Sequence, residues 1–325
     1  MDMKVMITGM AGFIGYHLAN SLLDDGHEVV GFDNFNHYYD VSLKNARANN
    51  LRMRGVETSY MDLKDLDSIT DFIMGEYPDI VMHLAAYAGV RHSLNNPQQY
   101  IDNNMTGSQN LITACEEAGI ENIVYASSSS VMAGNPMPQD EYEKLPRALN
   151  PYSFTKAANE AQFMSSPIRN TVGLRFFTVY GPWGRPDMAL FDFTTKIIDE
   201  DRIDLYNYGD MSRDFTYIDD VVQGIMITLK HTHAQGLHPN HEEHYNEVFN
   251  IAYGKRIPLT DFVDAIEYNL GRKAIRNPVP MHKADAKDTW ASIDKLKKLG
   301  YNPTTPMKDG VAKFVGWYKE YYNVN

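Results

Sequence analysis

The chain of 325 residues is long enough to bury a large core, as one unit or as a main domain with a smaller partner, and 43% of it is apolar. A formal net charge of −12 speaks against a general grip on nucleic acid or an anionic membrane surface, since a polyanion is repelled on average. The single cysteine, Cys115, allows neither an internal disulfide nor a thiolate cluster, so a reducing cytoplasm and no metal site are expected. MDMKVMIT enters a strand-like run at once, so no secretory leader is expected, and no apolar stretch is long enough to cross a bilayer.

In chain order, KVMIT (4–8), EVVGFD (28–33), DIVMHLA (79–85), NIVYAS (122–127) and TVGLRFF (171–177) are β-rich runs. Polar or glycine-bearing residues follow each, and then a helical period such as SQNLITACEEAG (108–119), with Cys115 on its apolar side. This alternation predicts a parallel sheet covered by helices on both faces. YGPWGRP (180–186) reads as a turn that opens a mixed second half. There the strands RDFTYI (213–218) and EVFNIAY (247–253) interleave with helices, ending in MKDGVAKFVGWYKEYY (307–322), whose aromatic residues have the spacing of a packed helix. Five histidines between 231 and 244 are irregularly spaced and read as a solvated loop, not a metal site.

TGMAGFIG (8–15) is the first motif that carries chemistry. Gly9 permits a tight turn, Gly12 lets the backbone approach a pyrophosphate, and Gly15 allows a helix to pack closely on the strand. Phe13 and Ile14 open that helix, whose N-terminus faces the anion. Asp33, eighteen residues past Gly15, ends the second strand, where a carboxylate can accept both hydroxyls of an adenosine ribose. A 2′-phosphate would meet like charge there, and Asn34, Phe35 and Asn36 supply no arginine, so NAD is expected and not NADP. In PYSFTK (151–156), Tyr152 and Lys156 would share one face of a helix. A phenol that titrates near ~10 needs a shift of about three units, roughly 4 kcal/mol, to act as a base at neutral pH. Lys156 and a positively charged nicotinamide ring could supply it. The spacing alone also fits an ordinary surface helix.

The order of these parts, with hydroxyls at Ser127 to Ser130, resembles the extended short-chain dehydrogenase/reductase family over essentially the whole chain. HLAAYAGVR (83–91), YIDNNMTGSQNL (100–111), RFFTVYGPWGRPDMALF (175–191) and RDFTYIDD (213–220) carry the likeness. DNFNHYYDVSLK (33–44) and the 175–191 run look most like UDP-glucuronate 4-epimerases. The resemblance implies a Rossmann-type doubly wound parallel α/β sheet with a smaller C-terminal α/β substrate-binding domain. Residues 1–180, with segments around 213–253 returning to them, would bind NAD, and 181–325 would mainly bind the nucleotide sugar. It also implies Ser128, Tyr152 and Lys156 as catalytic residues. Asn34, Asn36, Asp62 and Leu63 would lie at the adenosine side and Leu84, Ala85, Ala86 and Asn104 at the cofactor bed, Asn104 steadying the active-site helix. Arg91, Ser128, Ser129, Tyr152, Thr178, Arg185, Tyr206, Arg213 and Asp285 would meet the UDP-sugar, with Arg213 on its pyrophosphate.

Two departures stand out. Val131-Met132-Ala133-Gly134 replaces the family's usual Val-Tyr-Gly, and MHKADAKDTWA (281–291) has His282 and Lys283 where some relatives carry arginine. Relatives that dehydrate or decarboxylate their sugar resemble one another in placing an acid directly before that valine, where this chain has Ser129 and Ser130. The resemblance therefore implies oxidation and reduction at one carbon, as in UDP-glucuronate 4-epimerisation. UDP-glucose or UDP-N-acetylhexosamine is the alternative sugar, and a non-catalytic NAD-binding scaffold the alternative role. A homodimer through helices near 97–118 and 151–165 is the family's usual assembly, and galacturonate supply for a polysaccharide its usual setting.

Overall fold

The protein is described here by a computed structural model covering residues 2–236 and 244–324. Its centre is a seven-stranded sheet built from β1 (Lys4–Thr8), β2 (Glu28–Asp33), β3 (Ser59–Tyr60), β4 (Ile80–His83), β5 (Asn122–Ser128), β6 (Asn170–Phe176) and a late strand, Tyr245–Ile251. The strand order is late strand, β6, β5, β4, β1, β2, β3, and every neighbouring pair is parallel. The order reverses between β1 and β4, which opens a crevice at the C-terminal ends of the strands, where ligands bind in such sheets.

Near-continuous apolar strands have both faces covered. Val5, Ile7, Ile80, Met82 and Val124 join one apolar core, whereas Met6, Val81, Ile123 and Tyr125 join the other. The first core takes in α1 (Phe13–Asp24) and the helix Ile218–Gly236; the second takes in α3 (Leu66–Glu76) and the helix Gly107–Glu117, with Cys115 fully buried in it. Between α1 and α3 lies α2 (Val41–Met53), started by Asp40, whose side chain accepts from the amide of Ser42 at 2.8 Å.

Helices α4 (Val90–Asn95) and α5 (Pro97–Tyr100) lead through a π-helical turn, Ile101–Thr106, into α6 (Gly107–Glu117). Such a turn shifts the helix register by one residue, often at a functional position. Asn104 sits in it. α7 (Pro151–Met164) begins with a reciprocal cap: Asn150 accepts from the amide of Ser153 at 2.8 Å while Ser153 Oγ accepts from the amide of Asn150 at 3.2 Å. Pro151 fills the first helical position, which fixes Tyr152 in the first turn.

After β7 (Thr178–Tyr180) come α8 (Ala189–Ile198) and the short strands β8 (Arg202–Leu205), β9 (Ser212–Arg213) and β10 (Phe215–Tyr217). The expected single strand 213–218 is broken. Asp214 leaves the ladder because its buried carboxylate accepts from the amides of Tyr253, Gly254 and Ala291, and Ile218 instead opens α9 (Ile218–Gly236). The late strand of the main sheet is β11 (Tyr245–Ile251); then follow β12 (Ile257–Pro258), α10 (Leu259–Leu270), β13 (Ile275–Pro278), α11 (Asp294–Lys297) and α12 (Met307–Tyr322). Three two-stranded pairs, β7 with β10, β8 with β13 and β9 with β12, flank the sheet. Of the histidine-rich segment, 237–243 lie outside the described residues; His231 meets Tyr245 Oη at 2.9 Å and His244 the carbonyl of Ile168 at 3.2 Å. Among the described residues no helix is long and apolar enough to cross a membrane, and no group of His, Cys, Asp and Glu could hold a metal.

Candidate active site

A cleft of about 420 Å³ runs along the C-terminal ends of β1, β2, β4 and β5. Its floor is backbone. Gly9, with φ +73°, turns the chain so that its amide and that of Met10 donate to the Phe32 carbonyl at 2.8 and 3.1 Å. A Cβ on Gly9 would lie 2.9 Å from the Ala85 amide nitrogen, one on Gly12 2.9 Å from the Gly9 oxygen, and one on Gly15 would overlap that same oxygen. No side chain fits, and the cradle suits a pyrophosphate pressed against the start of α1, where Phe13 and Ile14 also line the cleft.

Asp33, Asn34, Asn36, Asp62 and Leu63 form one end of the cleft. Asp62 accepts from Asn34 Nδ2 at 3.0 Å and from the Lys64 amide at 2.9 Å, and Asp33 accepts from the Phe35 amide at 2.8 Å. Lys44, which the sequence reading did not single out, reaches Asp33 at 3.5 Å with both side chains buried. The Asp40 cap places it one turn into α2. Leu84, Ala85 and Ala86 line the middle, the Ala85 amide anchored on Thr8 Oγ1 at 3.1 Å. Asn104 lies beneath the cleft and does not line it. Its side chain accepts from the Tyr87 amide at 2.8 Å and donates to Thr155 Oγ1 at 3.0 Å, tying the π-helical turn to α7.

Ser128, Tyr152 and Lys156 meet at the other side of β5 and α7. Burial pushes the Tyr152 phenol above its ordinary value, while a hydrogen bond with Ser128 and the Arg185 charge pull it down. The Lys156 ammonium donates to the Ala126 carbonyl at 2.9 Å; burial lowers it to about 8, opposed by the Glu160 carboxylate. The four hydroxyls divide. All four residues line the cleft, but the Ser127 hydroxyl is taken up by Glu160 Oε1 at 2.5 Å, whereas Ser130 Oγ donates to Ser128 Oγ at 2.9 Å.

Thr178, Arg185, Arg213 and Asp285 complete the wall. The Arg213 guanidinium is held by the carbonyls of Ser212, Ala286 and Lys287 at 2.8–2.9 Å. Among the described residues it has no ion pair, so its charge is left for an anion. Arg185 is instead gripped by Asp187, Nε to Oδ1 at 3.0 Å and Nη2 to Oδ2 at 2.6 Å. Tyr38 Oη donates to the same carboxylate at 3.2 Å and lines the cleft, a contact between residues 149 apart that carries no local signal. Arg91 and Tyr206 do not line the cleft. Arg91 stacks 3.7 Å above the Tyr206 ring and pairs with Asp285 at 2.6 Å, which brings these three together at its rim. Met132, one of the two departures from the pattern the resemblance implies, is buried with its sulfur 3.0 Å from Arg175 Nη1.

Residues 5–252 match the NAD dependent epimerase/dehydratase family. The chain belongs to that family. A probable UDP-glucuronate 4-epimerase of Rhizobium meliloti (strain 1021) is 40% identical over 98% of this chain and 98% of its own. A UDP-glucuronate 4-epimerase of Thermodesulfobacterium geofontis (strain OPF15) is 38% identical over 97% of this chain and 96% of its own. Among solved structures, UDP-glucuronic acid 4-epimerase from Bacillus cereus, in complex with UDP-glucuronic acid and NAD, superposes with a TM-score of 0.87 at 31% identity, covering 98% of this chain and 100% of that one. The glycine cradle and Asp33 fit the family's cofactor: the first packs backbone on backbone at the start of α1, along the cleft, and the second places a carboxylate at the end of β2.

Proposed function

We propose that the protein is an NAD-dependent 4-epimerase that converts UDP-glucuronate to UDP-galacturonate through a transient 4-keto sugar. Bound NAD supplies a hydride acceptor and donor for carbon 4. Gly9, Gly12 and Gly15 would hold its pyrophosphate and Asp33 its adenosine ribose, with Lys156 beside Tyr152 further along the cleft. Tyr152, as phenolate, takes the proton of the 4-hydroxyl and later returns one, with Ser128 hydrogen-bonded to the same oxygen. Burial opposes that phenolate, while the Ser128 hydrogen bond and the Arg185 charge favour it, and the positive ring of the bound cofactor would lower the phenol further toward the working range. Arg213 tethers the sugar's pyrophosphate while the ring turns over and presents its other face.

The observation that carries this reading is the wall beside Tyr152. Asp33, Asp62 and Asp285 are the carboxylates lining the cleft among the described residues, and none comes from the end of β5. Dehydration or deliberate decarboxylation needs a further acid or base at carbon 5 or 6. Ser128, Ser129 and Thr178 are neutral donors suited to a uronate carboxylate, and holding it out of line with the 4-keto π system suppresses loss of carbon dioxide. Residues 1–180 with 213–253 would carry the cofactor and 181–325 mainly the sugar nucleotide. Half-exposed Phe154 and Met164 on α7 support a homodimer through the helices near 97–118 and 151–165. The buried, unpaired Cys115 suits a reducing cytoplasm, and galacturonate for a polysaccharide is the setting such a product fits.

Purified protein offered UDP-glucuronate, UDP-glucose and UDP-N-acetylglucosamine separately, with C4 epimers resolved by chromatography, tests the reading. Turnover of UDP-glucuronate well above the other two is expected. Preference for a neutral sugar would replace the substrate, and no turnover of any would leave an NAD-binding scaffold.

A further inference from the structure

Behind the hydroxyl-bearing end of β5 lies an ion pair with both side chains about 5% exposed, Glu160 on α7 and Arg175 on β6. Arg175 Nε donates to Glu160 Oε1 at 2.8 Å and Nη2 to Oε2 at 2.9 Å, a planar fork on a carboxylate. A pair this deep gains little net stability over well-packed apolar residues, because each ion costs several kcal/mol to desolvate. Its placement gives it another use. Ser127 Oγ donates to the same Glu160 Oε1 at 2.5 Å. Ser127 stands between Ala126, whose carbonyl accepts from Lys156, and Ser128, which bonds Tyr152. Glu160 is also one helical turn beyond Lys156, on the same face of α7.

We propose that Glu160 is a positioning residue: clamped by Arg175, it pins Ser127, which sets Ala126 and Ser128 against Lys156 and Tyr152, and one turn along α7 it is the counter-charge of the Lys156 ammonium. This rests on the acid–base roles proposed above for Tyr152 and Lys156. The groups facing Lys156 are the Ala126 carbonyl from β5, Tyr152 and Glu160 from α7, and His83 from β4. His83 is buried between Thr8 Oγ1 at 2.8 Å and Ser108 Oγ at 3.0 Å, and burial holds it down at about 3, so it is neutral and offers no counter-charge. Glu160 is left as the negative charge that acts on Lys156.

Two variants separate the charge from the clamp. In NAD-free Glu160→Gln protein, the Nζ nitrogen shift of Lys156, assigned by its loss in Lys156→Arg, is followed against pH. Its midpoint should fall by about one pH unit relative to the parent, and the alkaline limb of turnover in the NAD-loaded enzyme should move down with it. An unchanged midpoint overturns the charge role, and it does so without any sugar being turned over, so that failure is distinct from a wrong substrate. Ser127→Ala leaves every charge in place and removes one hydrogen bond. Its kcat should fall about tenfold with KM nearly unchanged; parental kcat in the folded variant overturns the positioning role.

Discussion

Where Gly9, Gly12 and Gly15 line the cleft its walls are backbone, whereas at the opposite end Arg185, Arg213 and Asp285 build them from charged side chains held by a carboxylate, by carbonyls and by a guanidinium in turn. The first surface is fixed by the packing of α1 on β1 and has no slack for an added methyl group. The second is assembled from groups that already have partners and can exchange them. A rigid cradle suits a cofactor that stays through many turnovers, and an adjustable wall suits a sugar that must turn over inside it.

If this contrast is sound, damage to the backbone end is all-or-none and damage to the side-chain end is graded. Gly15→Ala forces a Cβ into the Gly9 carbonyl, and the purified variant should carry no NAD detectable by absorbance or by release on denaturation. Retention of stoichiometric NAD would break the comparison. Tyr152→Phe removes the proton carrier but leaves the cradle, so turnover should drop about 10³-fold with NAD content unchanged. Arg213→Met removes a charge that has no carboxylate partner among the described residues; KM should rise about tenfold to a hundredfold with kcat little altered, measured by steady-state kinetics. Asp285→Asn breaks the pair with the rim residue Arg91, which is nearly half exposed, and takes a negative charge from beside Arg213; it should move KM less than about fivefold. A larger effect from Asp285 than from Arg213 would invert the proposed division of labour at this end.

The same contrast governs what could be read before the fold was known. The strands, the glycine turn, Asp33 and the start of α7 follow from local rules: alternating runs, a turn that excludes Cβ atoms, and a capping residue ahead of Pro151. Residues that meet only through the tertiary fold left no such trace. Arg185 and Asp187 are neighbours in sequence, yet their link to Tyr38 spans 149 residues, and that of Arg91 to Asp285 spans 194. Lys44 looks like any surface lysine until α2 buries it beside Asp33. The run 213–218 misled because Asp214, which an alternating pattern treats as a polar edge, is buried and serves as acceptor for amides from two other loops. Met132 could be recognised as a departure in sequence, but its contact with Arg175 needed the packed core.

The central claim is that one phenol moves a proton while hydrogen leaves and returns at the same sugar carbon without escaping. UDP-glucuronate labelled with deuterium at carbon 4 should be incubated with the purified, NAD-containing protein in ordinary water, with no NAD added. The account predicts UDP-galacturonate that keeps its deuterium at carbon 4, with no release of carbon dioxide. Product carrying solvent hydrogen at that carbon, or no epimer at all, would contradict it.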